Sequence, residues 1–179
     1  MEDKFTFNLL KFYCMRYLLL FFIVVFASCT QNIYVVRHAE KGTMQTGMEP
    51  GNPPLSTAGN ERAQALKTRL QDKKIRSVFS TNYKRTISTV SPLSDVLGVT
   101  IQLYPASMDS MNNFIQKIRQ TRKGNILIAG HSNTIDDIAN KLAGPGVVPG
   151  DLPETEYNNL FIIRRKGNRY SFSRSTYGN

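Results

Sequence analysis

Short apolar runs alternate along this chain with stretches whose apolar residues recur every three or four positions. Residues 33–36, 75–80, 99–103 and 125–129 are runs of the first kind, and they predict strands buried on both faces of a parallel sheet. Between them, Ala58, Ala63, Leu66 and Leu70 recur near helical spacing, behind Ser56 or Thr57 as the cap. Residues 84–97 predict a second helix ended by Gly98, with Pro92 where it can bend or divide it. Met108, Met111, Phe114, Ile115 and Ile118 predict an amphipathic helix, and residues 133–142 a further one. Residues 160–164 and 169–172 predict a hairpin turning at Gly167-Asn168. The Gly- and Pro-bearing stretches 41–54 and 144–150 are left as loops. Such alternation predicts an α/β three-layer sandwich, with a mostly parallel sheet, helices on both faces and an antiparallel edge.

The N-terminus has a different pattern. Residues 17–27 (YLLLFFIVVFA) are uninterruptedly apolar, preceded by Arg16 and followed by Ser28-Cys29. This is well short of the roughly 20 apolar residues of a membrane-spanning helix. A positive residue, a short apolar core and small residues before a cut form the pattern of a secretory signal. Phe26-Ala27-Ser28-Cys29 resembles a bacterial lipoprotein signal, with Phe26 where Leu or Val is commoner. Residues 1–28 are therefore expected to be a signal peptide or N-terminal membrane anchor. Residues 29–179 form one domain, exported and tethered through lipid on Cys29 or through the anchor. Met15 would be a more ordinary start than Met1.

Cys14 and Cys29, the only cysteines, lie in or beside that leader, so the domain has neither disulfide nor thiolate metal site. The net charge is +10, from 23 basic and 13 acidic residues. Residues 1–28 hold three of the basic and two of the acidic ones, leaving 20 against 11. That balance favours anionic partners. The basic residues are scattered, without the aromatic spacing of a base-stacking platform. A phosphorylated small molecule or phosphoprotein is the expected partner; nucleic acid is not. The charge itself is expected to be mostly a solvated face.

The two histidines of the chain each follow a predicted strand: His38 after residues 33–36 with Arg37 beside it, and His131 after residues 125–129 and Gly130. In open α/β sheets ligands bind at the carboxyl ends of strands. A neutral, aimed imidazole attacks phosphorus, and arginine's planar fork matches phosphate oxygens in pairs. Arg85 opens a helix after the second strand, where backbone N–H groups also favour anions.

These residues resemble a family. Arg37-His38-Ala39-Glu40 looks like the Arg-His-Gly/Ala-Glu signature of the histidine phosphatase (phosphoglycerate mutase-like) superfamily. Residues 55–59 with Arg62, Ala63 and Leu66 resemble its first helix, residues 80–86 with Thr89 its second-arginine segment, and Gly130-His131-Ser132-Asn133 its second histidine. The resemblance implies a phosphoglycerate mutase-like fold and a phosphohistidine intermediate on His38. Arg37, Arg85 and His131 would hold the phosphoryl oxygens, and neither metal nor other cofactor is implied. A metal on His38, Glu40, His131 and Asp136 is conceivable by residue type only.

The leaving-group acid departs from the family pattern. Asp109, at the start of the amphipathic helix, and Glu40, near the nucleophile along the chain, are the candidates. A weak acid would favour good leaving groups such as acyl phosphates, phosphohistidine or aryl phosphates. With no room for a lid between residues 99 and 130, hydrolysis is expected over mutase chemistry, as in the small phosphohistidine phosphatase-like members. The alternatives are a phosphomutase and a non-catalytic, tethered anion- or partner-binding domain on the same fold. Asp136 and Asp137 are expected to cap or solvate the last helix, and Tyr157, Tyr170 and Tyr177 to pack. Neither the natural substrate nor the oligomeric state follows from the residues.

Overall fold

A computed structural model describes residues 30–44 and 46–178. The leader, residues 1–28, and Cys29 lie outside the described residues. Among those described, no helix is long and apolar enough to cross a membrane.

The elements follow in the order β1 (Thr30–Arg37), α1 (Thr57–Leu70), β2 (Ile75–Thr81), α2 (Lys84–Leu97), β3 (Ile101–Tyr104), α3 (Met108–Gln120), β4 (Asn125–Gly130), α4 (Ser132–Ala143), β5 (Asn159–Lys166) and β6 (Arg169–Thr176). One sheet in the order β3-β2-β4-β1-β5-β6 takes them all. The first four strands are parallel, and β5 and β6 add an antiparallel edge. The fold is the predicted α/β sandwich.

Side chains of a strand alternate between its two faces, and β1 shows this directly. Ile33 and Val35 join a core with Met111, Phe114 and Ile118 of α3 and Ile135 and Ile138 of α4. Tyr34 and Val36 join the opposite core, with Leu66 and Leu70 of α1 and Val90 and Leu93 of α2. Two buried layers, each worth about 25 cal/mol per Å² of apolar surface removed from water, thus grip the sheet from both sides.

Two predictions shift on inspection. α2 runs unbroken through Pro92; Ser91 Oγ donates to the Ile87 carbonyl (2.9 Å) at the turn that the proline disturbs. β3 starts at Ile101, two residues later than its apolar run. Gly98 closes α2 in a left-handed conformation, and Val99 N–H donates back to the Ser94 carbonyl, so Val99 finishes the helix.

The chain leaves β1 for β2, skipping the place that β4 later fills, so connections depart in both directions from the β1–β4 seam. Arg37 pairs with Gly130 across it. The carboxyl ends of β1, β2 and β4 meet there, at the topological switch where such sheets bind ligands.

Candidate active site

The side chains at that seam line a cavity of about 370 Å³, among them Arg37, His38, Tyr83, Arg85, His131 and Glu154. His38 follows the last residue of β1, with its N–H bonded to the Gly130 carbonyl (2.9 Å). Its ring Nδ1 lies 2.8 Å from the Ala39 carbonyl. A carbonyl only accepts, so Nδ1 carries the proton and the Nε2 lone pair is free. Burial, reinforced by the charges of Arg85 and Arg37, brings the His38 pKa down to about 3. The imidazole is neutral at every physiological pH.

His131 opens α4, its ring centroid 5.4 Å from that of His38. Arg85 Nη2 is 3.4 Å from Nδ1; a guanidinium only donates, so Nδ1 accepts and Nε2 carries the proton. Nε2 donates to Thr81 Oγ1 (3.0 Å), which lies 2.8 Å from Thr86 Oγ1, itself bonded to backbone carbonyls of residues 81 and 83. Burial first, then the charges of Arg85 and Arg37, lowers the His131 pKa to about 4. Gly130 is a glycine by necessity: a Cβ there would stand 2.8 Å from both Thr134 Oγ1 and the Tyr104 hydroxyl.

Arg37 is buried, 1% exposed. Its Nη1 donates to the carbonyls of Pro153 (2.8 Å) and Glu156 (3.3 Å), and Nη2 to Glu154 Oε1 (2.6 Å). Arg85 Nη1 donates to the Gly51 carbonyl (3.1 Å). Asn52 of the same loop accepts from Lys84 N–H (2.8 Å) and so caps α2 with a side chain borrowed from residues 41–54. The Nε atoms of Arg37 and Arg85 are buried and bonded to nothing among the described residues. Two guanidiniums and a neutral imidazole lining one cavity make a site that attracts an anion.

The structure brings together Arg37, His38, Arg85 and His131. It does not bring in the two acids named from sequence. Glu40 points away from the cavity, gripped by Arg62 Nε (2.8 and 2.9 Å) and Nη2 (2.6 Å). Burial alone would raise its pKa, but Arg62's hydrogen bonds and charge hold it below the usual carboxylate range. Asp109 is exposed in the first turn of α3 and does not line the cavity. Asp136 is buried in α4, where burial raises its pKa. No group of three His, Cys, Asp or Glu side chains among the described residues is arranged to hold an ion.

Three further residues belong to the site: Glu154 and Tyr83, which sequence patterning gave no role, and Tyr157, which it expected only to pack. Glu154 accepts from Arg37 and also from Lys41 Nζ (3.2 Å); the bond to Lys41 is the largest influence holding its carboxyl below the usual range. The Tyr157 ring lies under Arg37 (4.3 Å) and the Tyr83 ring under Arg85 (4.5 Å), so Tyr157 packs on a clamp and not in the core. Tyr177, by contrast, is buried in the α1–α2 core.

Residues 33–109 match the model of the histidine phosphatase superfamily (branch 1). Among solved structures, a protein from Agrobacterium tumefaciens assigned as the phosphohistidine phosphatase SixA superposes with a TM-score of 0.64 at 17% identity, covering 83% of this chain and 99% of that one. The protein histidine phosphatase SixA complexed with tungstate gives 0.66 at 15%, over 82% and 97%. A mycobacterial glucosyl-3-phosphoglycerate phosphatase gives 0.63 at 11%, over 84% and 100%. No curated protein sequence matches the chain. At these identities the structures establish a shared fold, that of the phosphoglycerate mutase-like histidine phosphatases.

Proposed function

We propose that this chain is a histidine phosphatase that hydrolyses phosphoryl groups carried on good leaving groups, through a phosphohistidine on His38 and without a metal. One observation carries the proposal: His38 spends its Nδ1 proton on the Ala39 carbonyl, leaving a neutral Nε2 lone pair in a cavity that Arg37 and Arg85 also line.

In the first step Nε2 forms a bond to phosphorus as the bond to the leaving group breaks, its electron pair departing with that group. Arg37 and Arg85 take the equatorial oxygens and stabilise their charge, the larger part of catalysis in phosphoryl transfer. The dianion's charge opposes that of Arg85 and Arg37 at His131 and so favours its protonated form, which takes its proton from solvent and donates to the same oxygens. Water then attacks phosphorus, the N–P bond breaks, and neutral His38 returns with orthophosphate released.

The choice of leaving group follows from the carboxylates. Glu40 is committed to Arg62, Asp109 lies outside the cavity, and Glu154 is ionised beside Arg37 and Lys41. None is a ready acid in the free site. Groups that depart without strong assistance, such as an imidazole, an acyl or an aryl oxygen, are therefore favoured over alkyl phosphates. The substrate is then a phosphohistidine-bearing protein or a small molecule of that chemistry. A mutase would need a lid to keep water from the phosphoenzyme, and the β3–β4 connection contains only α3.

Turnover of aryl phosphates tests this directly. Activity should persist in excess chelator, vanish in His38→Ala, and fall about 10²- to 10³-fold in Arg37→Ala or Arg85→Ala, as for loss of other preorganised charge donors. Rates should rise steeply as the phenol becomes more acidic. Chelator-sensitive turnover, or an unaffected His38→Ala, contradicts the proposal.

A further inference from the structure

The basic residues scattered along the sequence are gathered by the fold at the end of the sheet opposite the site. Lys73-Lys74 precede β2, Arg122-Lys123 precede β4, and Arg164, Lys166 and Arg169 flank the β5–β6 turn. The register puts these segments side by side: Thr30 opposes Lys166, Lys166 opposes Arg169, and Ile75 pairs with Asn125. Asn125 N–H and side chain bond the carbonyls of Lys74 and Lys73. The C-terminal turns of α1, α3 and α4 bring Lys67, Arg69, Lys117, Arg119 and Lys141 to the same end.

Against these stand only Asp72 and Asp95; the other nine of the 11 acidic residues past position 28 lie towards the site. Ion pairing repeats the division. Arg37, Lys41, Arg62 and Arg174 are paired at the site end, whereas no basic residue at the base has a carboxylate partner among the described residues. Lys73, Lys74, Arg122, Lys123, Arg164, Lys166 and Arg169 are all exposed. Such an unneutralised face is a standing attraction for a polyanion.

The position of Thr30 says which one. It lines, with Lys74, Arg122 and Arg165, a cavity of about 550 Å³ in the middle of this face. The apolar run of residues 17–27 ends three positions before it, with Ser28 and Cys29 between, so the hydrophobic segment leads into the domain at this basic surface. Apolar segment followed by a basic face is the pairing that anionic bilayers select, each Lys or Arg adding attraction within a Debye length of the headgroups. No exposed aromatic ring stands among residues 72–74, 122–125 and 164–169 to stack a base.

We propose that this basic end is a docking face for an anionic phospholipid surface, on which the domain stands with its site pointing away. The proposal goes beyond the phosphatase assignment, and neither depends on the other.

Lysine footprinting of the full chain mixed with vesicles tests it. On phosphatidylcholine containing one quarter phosphatidylglycerol, Lys73, Lys74, Lys123 and Lys166 should lose acetylation severalfold relative to Lys84. They should regain it in 1 M salt and show little protection on phosphatidylcholine alone. In Lys74→Glu/Lys123→Glu/Lys166→Glu the protection of Lys73 should disappear while aryl phosphate turnover is unchanged. Equal reactivity on both vesicles, or absence of binding to either, overturns the proposal. So does stronger protection by duplex DNA than by the anionic vesicles.

Discussion

His38 and His131 are both held neutral, yet each is held by a different partner, and that difference assigns their work. His38 donates its Nδ1 proton in a hydrogen bond to a backbone carbonyl; His131 rests its lone pair on Arg85, a group that phosphate would claim under the proposed function. Since these are the only histidines, proton NMR should show two imidazoles titrating near pH 3 and 4. Tungstate should move His131 upward. A resonance with an ordinary midpoint near 6.5 would contradict the buried, arginine-facing site.

The same shifts have a sign for stability. Both folded pKa values lie below the unfolded one, so the unfolded chain binds more protons between about pH 6.5 and pH 3. Stability should fall as acid is added through that window, and replacing His38 with Asn should flatten the fall in melting temperature. Glu154 is the other residue with a distinct expectation. It is an exposed anion on Arg37, and under the proposed function a bound phosphate would compete with it for that guanidinium. Glu154→Gln should tighten inhibition by orthophosphate, by no more than about fivefold given the usual worth of exposed pairs.

At the scale of elements, α1 sets the position of the chain just after His38. The helix presses so closely on the chain after His38 that a Cβ on Gly59 would lie 2.3 Å from the Glu40 carbonyl oxygen. Backbone cannot yield as a side chain would. Gly59→Ala should cost about 1–3 kcal/mol, the range for overpacking, read as a lower denaturation midpoint, and should reduce turnover by displacing His38.

Elements also show what was legible beforehand. The strands and helices could be read because burial on a sheet leaves a period in the residues, and His38 and His131 because they follow such periods. Glu154 and Tyr157 sit in an aperiodic loop more than 115 residues from Arg37, their partner. Nothing local marks them; only tertiary closure brings them to the site. Glu40 misled for the converse reason: it stands two residues from His38 along the chain, yet its carboxylate is taken by Arg62 and does not line the cavity.

For the whole molecule, net charge was readable and its polarity was not. An excess of nine positive charges past residue 28 conceals one end whose basic residues face only Asp72 and Asp95 and another where carboxylates balance arginines. Only the sheet register, which lays the turns before β2 and β4 beside the β5–β6 hairpin, makes one face of separate pairs.

β1 is the strand that runs from the basic end to His38. Seven residue steps from Thr30 to Arg37, at about 3.3 Å each, make it a stilt of roughly 23 Å. With the basic end resting on lipid, His38 works that far above the headgroups. Phosphates of the bilayer itself would then be out of reach, and phosphatidic acid in the same vesicle should remain intact while a dissolved aryl phosphate is consumed. The strand would thus be a ruler as well as a scaffold, setting the altitude at which substrates are met.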